Sequence, residues 1–157
     1  MTERARNLAL RYLGAAALFA VGVDHLQQYY GAQYSAIPTI GTLFFLNFVS
    51  AVLVAAGLCM PVERWLPRWG KPILAGLAAT GIGIALGSLA ALLISEQTPL
   101  FGFVESGYRQ AIVISIVLEV AVTLLLGGFL VGLVRSGRRD TVSAPGPGAR
   151  GAPGRRL

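Results

Sequence analysis

Four side chains able to do chemistry stand where the surrounding residues are apolar. Asp24 and His25 close one long apolar run, Asn47 sits within a second, and Glu119 sits within the last. An ionisable group at the centre of a membrane span costs about 3 kcal/mol or more, so each of these side chains implies a partner or a task. Two carboxyls brought together in low dielectric share a proton or hold a cation, because two bare charges there repel strongly. A histidine beside them titrates near neutral pH. The set suits a proton relay, a metal site, or a quinone headgroup held by hydrogen bonds. It suits equally a buried polar network that fixes helix register, or a hydrated interfacial layer for Asp24 and His25.

Helical spacing groups these residues. Ser115, Glu119, Thr123 and Gly127 recur every four residues and form one small, polar stripe. Leu10, Leu13, Ala17, Ala20, Asp24 and Gln28 share a face of the first run. With the outer boundary near Tyr29, a rise of 1.5 Å per residue puts Asp24 and His25 roughly 6–8 Å deep, Asn47 about 10 Å and Glu119 about 12 Å. Asp24, Asn47 and Glu119 are therefore expected around one interior pocket, with Ser115 and Thr123 beside it. His25 is turned about 100° from Asp24 and is expected to flank that pocket or face another helix.

No catalytic residue or metal site is assigned. The chain has no HExxH, no GxxxxGK[ST], and no GxGxxG between a strand and a helix. With His25 the only histidine, a bis-histidine haem within one chain is excluded. Cys59 is the only cysteine, distant from His25 and without an activating neighbour. A non-enzymatic role is the simpler expectation.

The elements that must position these residues follow from composition. Of 157 residues, 55% are hydrophobic and 13% charged, and mean hydropathy is +0.67. Soluble domains carry about 25% charged residues, so this chain has too little polar material to cover a soluble surface. Its apolar residues form four runs, at about 8–29, 39–60, 73–95 and 111–134. Each is long enough to cross a hydrocarbon core of about 30 Å. The expected fold is all-α: an antiparallel up-down bundle of four transmembrane helices, flanked by a basic tail at 1–7 and a disordered basic tail at 135–157. The first run is too long for a signal-peptide core and no A-x-A site follows it.

The connections support this division. Residues 61–72, PVERWLPRWGKP, hold three prolines, three basic residues, Trp65 and Trp69, a composition suited to a membrane interface. Arg11 is expected to snorkel to the near interface. Phe101, Phe103 and Tyr108 in the last loop read as interfacial, with Arg109 four residues after Glu105 and able to pair with it. Gly83/Gly87 and Gly128/Gly132 are GxxxG pairs that permit close helix packing, within the bundle or with a homo-oligomeric or other membrane partner.

The net charge of +6 is a topology signal rather than a nucleic-acid footprint. Of thirteen Lys and Arg, all but Arg109 fall near the start of the first run, between the second and third, or after the fourth. Both termini and the middle connection are therefore expected to be cytoplasmic, in an inner (plasma) membrane.

Four runs in a short chain, a first run ending in Gly22-Val23-Asp24-His25, a loop to Ile37-Pro38 and an apolar second run resemble the DoxX-like group of small bacterial membrane proteins. The resemblance covers about residues 10–134. It implies a four-helix membrane bundle, with some members similar to subunits of quinone-linked oxidoreductases. It implies no particular site residue. The function expected is an accessory or subunit of a membrane redox or envelope system. A proton- or cation-coupled transporter using Glu119 and Asp24, and a purely structural membrane protein, are the alternatives.

Overall fold

A computed structural model describes residues 2–99, 101 and 110–142, with side chains through 137. It is helical, with no strand among the described residues. The elements are α1 (Glu3–Gly31), α2 (Pro38–Cys59), the single turn α3 (Val62–Trp65), α4 (Gly70–Gln97) and α5 (Gln110–Val142). A short 3-10 turn, Tyr34–Ala36, joins α1 to α2. Four helices, α1, α2, α4 and α5, are long and apolar enough to cross a membrane.

Local chemistry sets the helix ends. The Thr2 hydroxyl accepts the Ala5 N–H and caps α1, with Glu3 in the first turn where the helix dipole favours an acid. Pro38 opens α2, where its missing N–H would have no helical partner in any case. Pro61 follows the C-cap Met60 and stops α2. Pro72 lies in the first turn of α4, where the same argument holds.

The helices begin and end differently from the sequence expectation. α1 starts at Glu3, within the segment assigned to a basic tail. α5 continues to Val142, eight residues beyond the expected end of the fourth span. The assignment of 135–157 to a disordered tail is thus corrected for 135–142, while 143–157 lie outside the described residues. The sequence past Val134 is still free of proline until Pro145, so the helix meets no backbone stop. Residues 102–109, including Phe103, Glu105, Tyr108 and Arg109, also lie outside the described set.

α1 packs along α2 and α5, α4 packs along α5 and α2, and α1 barely touches α4. The seam positions are small. Gly22 meets Ala51, Val52 and the Phe48 carbonyl of α2, and Gly14 lies directly against Leu126 of α5. The core between the four helices is Leu18, Val21, Ala51, Val54, Leu58, Leu74, Ala78, Ala85, Val122 and Leu126. Between helices long and apolar enough to span a membrane, such a core is held by close side-chain packing rather than by transfer from water.

The two GxxxG pairs have different surroundings. Gly128 packs on Leu10, and Gly132 on the Asn7 amide, so the second pair serves the α1–α5 seam. Gly83 and Gly87 are exposed, with no atom near where a Cβ would stand, so the first pair packs no helix of this chain. Gly81 does that instead, facing Leu126 and Leu18.

Arg11 corrects another expectation. It does not reach out to an interface but is 2% exposed. Its Nε donates to the Leu58 carbonyl at 2.6 Å, one terminal nitrogen donates to the Met60 carbonyl, and the other pairs with Glu63 at 2.9 Å. Leu58 lies in the last turn of α2, where carbonyls lack helical donors and the dipole end is negative. A side chain of α1 thus closes the C-terminus of α2, while α3 brings Glu63 to the same point.

Candidate functional site

A cavity of about 230 Å³ opens at the end of the bundle opposite Arg11, walled by all four long helices. α1 contributes His25 and Gln28, α5 Ser115 and Glu119, α4 Ser88 and Ser95, and α2 Asn47 and Phe44. The rest of the wall is apolar and includes Ile40, Leu43, Leu92 and Ile112. Its polar side chains, from His25 to Glu119, therefore converge from distant parts of the sequence onto one otherwise apolar space.

His25 belongs to this cavity, and Asp24 lies behind it. The His25 ring is 5.1 Å from Phe44, centroid to centroid. Its Nδ1 lies 2.9 Å from the Val21 carbonyl one turn back, and its Nε2 lies 2.9 Å from Ser88 Oγ on α4. A carbonyl only accepts, so Nδ1 carries a proton and donates. Ser88 Oγ also stands close to the Glu119 carboxyl, so His25, Ser88 and Glu119 face one space from three helices.

Asp24 turns from the cavity to α5. Its Oδ2 accepts from Ser115 Oγ at 2.5 Å and from Gln28 Nε2 at 2.8 Å, and Gln28 Nε2 is also 2.9 Å from Ser115 Oγ. This closed triangle borders both the cavity and a second hollow lined by Asp24, Gln27, Gln28, Gly31, Ala32 and Gln110. Asp24, expected beside Asn47 and Glu119, thus lines the second hollow instead, whereas His25 faces Ser88 of α4 and lines the cavity as well. Thr123 is not in the wall; its hydroxyl donates to the Glu119 carbonyl within α5. Ser88 and Ser95 were not singled out by the sequence, because one serine in an apolar helix breaks no pattern. A search along α4 for hydroxyls at the depth of His25 would have found Ser88.

Two buried side-chain atoms of the cavity have no protein partner, Glu119 Oε2 and Asn47 Oδ1. Glu119 is only 2% exposed. Leaving such a group unpaired costs about 1–3 kcal/mol, more when charged. Oε2 has lone pairs to offer whether the carboxyl is ionised or protonated. No three His, Cys, Asp or Glu side chains come together in a metal-binding group among the described residues.

Compared with protein-family models, curated proteins and solved structures, the chain matches none.

Proposed function

We propose that this chain is a DoxX-like, four-span protein of an inner membrane, arranged up-and-down with both termini and the α3 corner cytoplasmic. It serves a membrane redox or envelope system as an accessory or subunit, and its working part is the cavity around Glu119. Four apolar helices and the placement of basic residues support the topology. Contacts of Arg11, Gly22 and Tyr29 on α1 with Leu58, Ala51 and Gly41 on α2 support opposite chain directions. The observation that carries the functional reading is the buried, unpartnered Oε2 of Glu119 in an otherwise apolar cavity. A purely structural network would be expected to satisfy its own atoms. Purification in mild detergent or native nanodiscs tests the role: a defined membrane partner should copurify, and a chain that always runs alone refutes the accessory assignment.

One further observation favours a second reading, proton- or cation-coupled transport. Gln28 lines both hollows and is bonded to Asp24 of the second and Ser115 of the cavity, so polar groups continue from Gln27 to Glu119. Proteoliposome flux that is present in the wild type and lost in Glu119→Gln would support it. Absence of wild-type flux, or unchanged flux in the variant, would refute it.

A further inference from the structure

The cavity walls differ in exposure. The residues supplied by α1 and α5, namely His25, Gln28, Ile112, Ser115 and Glu119, are all buried. On the other two helices Leu43 of α2 is 44% exposed and Gly87 of α4 is exposed. The mouth therefore lies between α2 and α4. The lining next to it on those helices, Leu43, Ala91 and Leu92, is apolar, and no charged side chain lines the cavity there. In a four-span bundle such a mouth faces hydrocarbon and not water. Its interior is compact: a cavity of about 150 Å³ accepts a benzene ring, so about 230 Å³ accepts one substituted ring. In its wall stand Glu119 Oε2 and Asn47 Oδ1, both oxygens without a donor.

We infer that the cavity binds an amphipathic molecule drawn sideways from the bilayer between α2 and α4, whose single-ring headgroup carries a hydroxyl donated to Glu119 Oε2. The shape admits a ring, the mouth admits a tail left in lipid, and the unpartnered oxygen can accept from a hydroxyl. The inference rests on the cavity as the working part of the chain. It does not depend on an accessory role: absence of a copurifying partner would remove that role and leave this site standing.

The test uses a matched pair of probes, 4-octylphenol and its methyl ether, titrated into the chain in nanodiscs and corrected for partition into protein-free nanodiscs. The two share ring and tail and differ in the donor. The wild type should bind the phenol at least tenfold more tightly, the ratio that about 1.4 kcal/mol of lost hydrogen bonding gives. Glu119→Leu, which removes the acceptor, should bring the ratio close to one. Gly87→Leu places a side chain in the mouth and should weaken phenol binding at least tenfold. Gly83→Leu, one turn along the same open face, should leave it unchanged. Neither glycine has an atom within 4 Å of a new Cβ, and both changes raise helix propensity, so both variants fold. Equal binding of phenol and ether, or a preference that survives in Glu119→Leu, overturns the ligand class. Unchanged binding in Gly87→Leu overturns the lateral route.

Discussion

Replacing Arg11 with methionine tests how the α1–α2 pair is held. The variant keeps an apolar stem of similar reach and removes the charge. It strips donors from the Leu58 and Met60 carbonyls and frees Glu63. A hydrogen bond from a charged donor contributes about 1.5–3 kcal/mol, so two lost carbonyl bonds amount to about 3–6 kcal/mol before the return of the buried cation's desolvation cost. A net loss of about 2–4 kcal/mol is expected. Glu63 is 47% exposed and water replaces its partner, so Glu63→Gln should cost less than about 1 kcal/mol. Unfolding by dodecyl sulfate in mixed micelles, followed by tryptophan fluorescence and far-UV circular dichroism, gives both numbers. The double variant gives their coupling, expected below about 1 kcal/mol. A loss below 1 kcal/mol for Arg11→Met, or equal losses for the two single variants, would show that the carbonyls of α2 do not depend on Arg11.

Three shorter predictions concern the cavity and the topology. Asn47→Leu combined with Glu119→Leu should leave unfolding stability unchanged or raise it by about 1 kcal/mol, because the two unpartnered oxygens leave nothing behind when removed; a clear fall in the same titration would mean that they hold the bundle together. Ser115→Ala opens the triangle to Asp24 and Gln28 and should lower stability by about 1–2 kcal/mol, whereas an unchanged melting temperature would mean the triangle adds nothing. Cys59 is exposed at the last residue of α2, so a membrane-impermeant maleimide should label it in inverted vesicles and not in right-side-out ones; the opposite pattern would reverse the proposed topology.

What the sequence made legible follows from which forces act locally. The four apolar helices were readable because hydropathy over about twenty residues needs no knowledge of neighbours. The start of α2 at Pro38 and its stop before Pro61 were readable from the local backbone chemistry of proline. The placement of His25 and Asp24 was not. Consecutive helical residues point about 100° apart, and which one meets a cavity depends on where the other helices stand. Here α5 lies beside Asp24 and offers Ser115, while α4 reaches His25 through Ser88. Arg11 was opaque for a related reason. Its position near one end of a span suggested reaching outward, but α3 and the end of α2 fold over it and supply acceptors closer than water. Small residues carried a signal without an address: Gly128 and Gly132 meet α1, Gly83 and Gly87 face outward, and nothing in the GxxxG spacing distinguishes them.

The separation between Arg11 and its partners bears on how the chain is made. The acceptors lie 47, 49 and 52 residues further along. While α1 alone has been synthesised, its guanidinium has no protein acceptor of this kind and resists leaving the aqueous or headgroup zone. Only when α2 has emerged and its final turn reaches that level does the charge acquire its carbonyls. On the proposed topology, insertion of the first helix is tied to the second, and the two are expected to enter the bilayer as a hairpin.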